Sequence, residues 1–154
     1  MKKVKIKRLF QHMVQTAFLV LIFSFSGHAQ EKTLSVISNV KGAPDEMTNA
    51  ELKSILKGEK QRWSNSVPVV IALMKSTTDA GRGISKKIFE MDVDEFNKYW
   101  LALVFQGKAK APYFFHSASE LETFVTETPG AIGVIETPPS AKIRQISIDG
   151  KKSF

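Results

Sequence analysis

The chain has 154 residues, with 22 Lys+Arg against 15 Asp+Glu, a formal charge of +7, and no cysteine. Its length favours one domain, and 43% hydrophobic with 24% charged residues excludes a disordered, collagen-like or coiled-coil chain. The lack of cysteine excludes a disulfide framework, a thiolate nucleophile, a cysteine zinc site and a cysteine-anchored lipoprotein.

The basic charge is concentrated at the start. Lys2, Lys3, Lys5, Lys7 and Arg8 precede an apolar run of 13 residues, Met13 to Phe25, and then Ser26, Gly27, His28 and Ala29. A charged region, a short apolar region and a small-x-small site together read as a secretory signal peptide, cut between Ala29 and Gln30. The alternative is an uncleaved anchor, for which 13 residues fall short of the ~20 that a spanning helix needs. Removing residues 1–29 takes away five cations and no anion, so the charge falls to +2 over the remaining 125 residues. That balance offers no electrostatic case for nucleic acid. The 30–154 segment is expected to form one domain, located in the periplasm or outside the cell.

In chain order, Leu34 to Ser38 predicts a first strand, followed by a turn-rich stretch, Asn39–Asp45. Thr48-x-x-Glu51 is a capping box that opens a helix with Leu52, Ile55 and Leu56 inward, stopped by Gly58. Trp63, Ser64 and Asn65 form a loop. Val67 to Met74 is nearly all apolar, as a strand covered on both faces would be. After a polar turn at 75–83, a helix runs through Ile84, Ile88 and Phe89. Asp92-x-x-Glu95 caps another, with Val93, Phe96, Trp100, Leu103 and Val104 at helical spacing and Gly107 at its end. Tyr113–Phe115 predicts a short strand, and Ser117-x-x-Glu120 a helix with Leu121, Phe124 and Val125 inward. Pro129-Gly130 is a turn. Ala131 to Ile135 and Lys142 to Ile148 predict late strands, and Asp149–Phe154 a loose tail. This alternation indicates an α/β fold with helices flanking a mixed sheet.

The turn Lys75-Ser76-Thr77-Thr78-Asp79-Ala80-Gly81-Arg82-Gly83 is the strongest candidate for chemistry. It joins an apolar strand to a helix, where free amides and the positive end of the helix dipole suit an anion. Ser76, Thr77 and Thr78 add hydroxyl donors, while Lys75 and Arg82 add positive charge. Open α/β sheets hold ligands at the carboxyl ends of their strands. The same residues also suit a plain helix cap, with Thr78 or Asp79 as the capping side chain, and Asp79 opposes a bound anion. Enzyme signatures are scarce. Outside the leader His116 is the one histidine, with no partner for a metal cluster or a Ser-His-Asp arrangement. No G-x-S-x-G, H-E-x-x-H or P-loop occurs. The carboxylates at 92, 94, 95, 120 and 122 sit at helix starts, which accounts for them. Trp100 belongs to an apolar helical stripe, and Trp63 is expected to pack over the sheet edge. The chain therefore reads as non-enzymatic, with no cofactor and no metal.

Four stretches in register resemble the substrate-binding-protein family of phosphate ABC transporters, in particular short single-lobe relatives. They are Leu52–Gly58 followed by Trp63; Val67–Met74 with the Ser/Thr turn; Tyr99-Trp100 with Phe105-Gln106-Gly107-Lys108 and Pro112; and Pro129-Gly130-Ala131-Ile132-Gly133-Val134-Ile135, similar to the family's P-G-A-I-G-Y segment. The resemblance implies one lobe of a type II periplasmic-binding-protein fold, with phosphate or a related small oxyanion as ligand at Ser76, Thr77, Thr78 and Arg82, with Lys75 an alternative source of charge. The departures are Lys75 and Ser76-Thr77-Thr78 where the family has an arginine followed by Ser-Gly-Thr, and the poor match of Asn39–Ala43 to the family's other glycine- and serine-rich turn. An ABC permease or another envelope protein is the partner implied. The alternative is a ligand-free interaction or sensory domain on the same fold.

Overall fold

The computed structural model describes residues 33–136 and 138–154; the predicted leader lies outside them. Six strands form one sheet: β1 (Ser35–Ser38), β2 (Glu46–Met47), β3 (Val70–Met74), β4 (Tyr113–Phe115), β5 (Ala131–Ile135) and β6 (Arg144–Ile148), in the order β2-β6-β1-β5-β3-β4. Strand β3 is parallel to both β4 and β5, while β1 is antiparallel to β5 and β6. The carboxyl ends of β3, β4 and β5 therefore share one edge of the sheet. The fold is the mixed α/β arrangement that the sequence predicts.

Among the described residues four helices accompany the sheet: α1 (Asn49–Leu56), α2 (Asp79–Ile84), which runs into a single π-helical turn at Ser85–Phe89, α3 (Val93–Phe105) and α4 (Ala118–Glu127). Their starts are written in the sequence. Asp92 and Glu95 satisfy each other's amides at α3, and Ser117 and Glu120 do so at α4. At α1 only half of the predicted box forms. Thr48 Oγ1 accepts the Glu51 amide at 3.1 Å, but the Glu51 carboxylate turns to Lys60, whose charge makes the stronger hydrogen bond.

Strand β4 shows how the layers are built. Its side chains alternate, so Tyr113 and Phe115 meet Phe124 of α4 with ring centroids 4.7 and 5.0 Å apart, while Phe114 meets Phe96 of α3 at 6.3 Å. Helices α3 and α4 thus lie on opposite faces. Between them Val36, Ile37, Leu73, Leu121, Ile132 and Ile135 are buried, joined by Leu52, Ile55 and Leu56 of α1. Each such side chain contributes about 1.5–3 kcal/mol of transfer free energy.

Several expectations are corrected. The strand predicted from Val67 begins at Val70, because Val67–Val69 fold back on the preceding loop: Trp63 donates its amide to Val67 O at 2.9 Å and Val69 its amide to Gln61 O at 2.9 Å. The last strand begins at Arg144 rather than Lys142. A two-residue strand, β2, falls where none is predicted, since so short a pairing leaves no periodicity to read. Val104 lies outside the buried stripe of α3 and is exposed, as are its neighbours Leu101 and Phe105. The tail is not loose. Phe154 and Leu34 exchange backbone hydrogen bonds of 2.8 and 3.1 Å, tying the chain's last residue to the start of β1. Trp63 packs as expected. It is buried, and its indole N–H donates to Gly130 O at 2.9 Å.

Candidate functional site

The turn that follows β3 lies at the shared carboxyl-end edge. Its backbone is anchored by the Lys75 amide, which donates to Phe115 O of β4 at 2.8 Å. The turn then closes on itself. The Thr78 amide and Thr78 Oγ1 both donate to Lys75 O, at 2.9 and 2.7 Å. Thr78 is also the N-cap of α2, its Oγ1 accepting the Gly81 amide at 3.0 Å and its carbonyl the Arg82 amide at 3.0 Å. The capping function open at the sequence level thus falls to Thr78, not Asp79. Gly81 permits this closure: a Cβ there would stand 2.0 Å from Lys75 O, closer than any side chain tolerates.

The five predicted residues are brought together, and most of their polar atoms are engaged. Arg82 donates from Nη1 to Thr77 O at 2.8 Å and pairs through Nη2 with the Asp79 carboxylate. Ser76 Oγ donates to Asn97 Oδ1 of α3 at 3.2 Å. Lys75 Nζ lies 2.7 Å from His116 Nε2, the residue after β4. Thr77 is exposed, with its hydroxyl outside these bonds. A helix start leaves its first amides without in-helix acceptors; here Lys75 O takes that of Thr78 and Thr78 Oγ1 that of Gly81, while the Arg82 amide makes the first in-helix bond, to Thr78 O. The amides of Asp79 and Ala80 take no acceptor from this turn.

Three residues enter this edge that the sequence does not assign to it: Asn97, His116 and Glu136. A Cβ on Gly83 would meet Glu136 Oε1 at 2.3 Å, so the residue after β5 stands over α2. His116 and Glu136 are placed by the parallel pairing of β3 with β4 and β5, which is a matter of strand order. A cavity of about 530 Å³ opens beside the same helix, lined by Arg82, Ser85, Glu90, Met91 and Val93 among others. It reaches the turn only through Arg82. On its rim Lys53 holds the Glu90 carboxyl below the usual range, first by a 2.7 Å hydrogen bond and then by its charge. Among the described residues no group of three metal-ligating side chains occurs, and no helix is long and apolar enough to cross a membrane.

No protein-family model matches the chain, and no curated protein does. Solved structures do. PstS from Borrelia burgdorferi is similar over 77% of this chain and 48% of its own, at 17% identity with a TM-score of 0.56. An ABC-type phosphate transport receptor from Vibrio cholerae is similar over 84% and 55%, at 14% identity with a TM-score of 0.60. A protein from Clostridium perfringens, provisionally a phosphate ABC transporter substrate-binding protein and crystallised with phosphate, is similar over 77% and 45%, at 14% identity with a TM-score of 0.51. At these identities the likeness establishes the fold. This chain spans about half the length of each of these proteins. The fold agrees with the lobe that the four sequence stretches imply.

Proposed function

We propose that this chain is an exported, non-enzymatic module that binds phosphate or a related small oxyanion at the 75–82 turn. The observation that carries the reading is the shared edge: β3, β4 and β5 deliver Lys75, the hydroxyl-bearing turn and the start of α2 to one place, on a fold held in common with phosphate-transport proteins. The amides of Asp79 and Ala80, the Thr77 hydroxyl and the Lys75 ammonium are the donors. Ser76 and Thr78 serve through the backbone they hold in place. Arg82 contributes once an oxyanion displaces the Asp79 carboxylate, an exchange of one anion for another at the same guanidinium. Binding at so open an edge is weak, of the order of millimolar, because solvent screens the charges. The leader is cut after Ala29, the protein works in the periplasm, and an ABC permease is the partner class.

Calorimetric titration of the protein, expressed with its own leader and purified from the envelope fraction, tests this. Heat on adding phosphate or sulfate is the expected result; silence at ten millimolar of either refutes it. A second reading, a ligand-free interaction domain, rests on the way Thr78, Arg82 and Asp79 already satisfy one another. It predicts that silence, together with an envelope protein retained on the immobilised chain.

A further inference from the structure

We propose that the cleft at the opposite, amino-terminal ends of β3 and β4 is a docking site for an acidic, extended segment of a partner protein. The cleft holds about 230 Å³ between the loops 58–62 and 109–111. Lys60, Arg62 and Lys110 line it, and no carboxylate does. Lys60 is paired with Glu51. Among the described residues Arg62 and Lys110 have no ion-pair partner. Arg62 is nonetheless held in place, since its Nη1 donates to Ser66 O at 2.9 Å. The wall beside these cations is apolar, formed by Val69, Ile71 and Tyr113. Two cations without a carboxylate partner, Arg62 and Lys110, beside an apolar wall match a segment in which carboxylates alternate with apolar side chains.

The neighbouring strand edge makes that segment extended. Strand β4 ends the sheet. Its Phe115 carbonyl accepts the Lys75 amide across the parallel pair, so the alternating Phe114 amide and carbonyl face outward. An added strand would take those bonds, and its alternate side chains would reach the cleft. A small free carboxylate would use the cations alone and leave the edge idle. A nucleic acid would need a broader basic face than a +2 domain supplies.

The test is a ¹⁵N-amide titration of the purified protein with the acetylated, amidated pentapeptide EVEVE, its counterpart KVKVK, free glutamate and a short oligodeoxynucleotide. The expected result is that EVEVE alone shifts the amides of Val69–Ile71 and Lys110–Phe114, with binding that weakens as salt is raised. In the double variant Arg62→Gln/Lys110→Gln its dissociation constant rises about tenfold, while the thermal midpoint stays put because both side chains are exposed. Equal binding of KVKVK, free glutamate or the oligonucleotide overturns the proposal. So does unchanged affinity in the double variant, or silence of these amides at millimolar EVEVE. Phosphate heat at the 75–82 turn is independent of every one of these outcomes.

Discussion

The two ends of the parallel strands β3 and β4 use their polar residues in opposite ways. At the carboxyl end a dense set of donors is spent within the turn: Thr78 on Lys75 O and the Gly81 amide, Arg82 on Thr77 O and Asp79, Ser76 on Asn97. At the amino end two of the three cations stand apart: Arg62 and Lys110 find no carboxylate among the described residues. A count of Ser and Thr hydroxyls, three in 75–82 and none in 58–62 or 109–111, ranks the first end above the second. What decides availability is whether the turn that carries the donors needs them for its own closure. A short helix start needs many, since several amides must be satisfied within one turn. A cleft between two loops needs few.

The sharpest way to break this contrast is at the carboxyl end. Gly81→Ala drives a methyl group to within 2.0 Å of Lys75 O and must open the turn. A loss of about 3 kcal/mol in urea unfolding is expected, and any oxyanion binding disappears with it. The amino end should be damaged next most by Trp63→Phe. That change removes the indole bond to Gly130 O, at a residue held at φ +79° with Pro68 O close by. About 2 kcal/mol is expected, from the lost hydrogen bond and the smaller ring. Should Trp63→Phe cost more than Gly81→Ala, the carboxyl-end closure is not the tighter of the two.

Smaller effects sharpen the contrast. Asp79→Asn releases Arg82 without altering the Thr78 cap. Phosphate should then bind about threefold more tightly, as an exposed ion pair is replaced by one to the ligand, and calorimetry reads the change. The least effect is expected from the Tyr99 phenol, which donates to Lys57 O at 2.7 Å beside the amino-end loops. Burial, followed by the nearby Glu59 charge, pushes this phenol above the ordinary tyrosine value. The folded chain therefore keeps its proton after the unfolded chain has begun to lose it. Stability is undiminished below about pH 10 and declines as pH rises from there through the folded value. In Tyr99→Phe the decline should be shallower, which urea midpoints across that pH range would record.

Much of the fold is legible in the chain because its signals are local. Asp92-x-x-Glu95 and Ser117-x-x-Glu120 cap their helices by contacts three residues apart, and Leu52, Ile55 and Leu56 share a face through helical spacing alone. The short stretches Leu34–Ser38 and Ala131–Ile135, read as strands between turn-rich segments, lie in the middle of the sheet and are buried along their strand residues. The candidate turn, too, was legible as a strand-to-helix junction rich in hydroxyls. Strand order was not, because it depends on which apolar faces meet across a hundred residues. That order sets His116 and Glu136 around Lys75 and Gly83, opens the edge of β4, and draws Phe154 back to Leu34. The local chemistry belongs to the sequence; the assignment of each donor to its own turn or to an outside ligand emerged only when distant segments closed on one another.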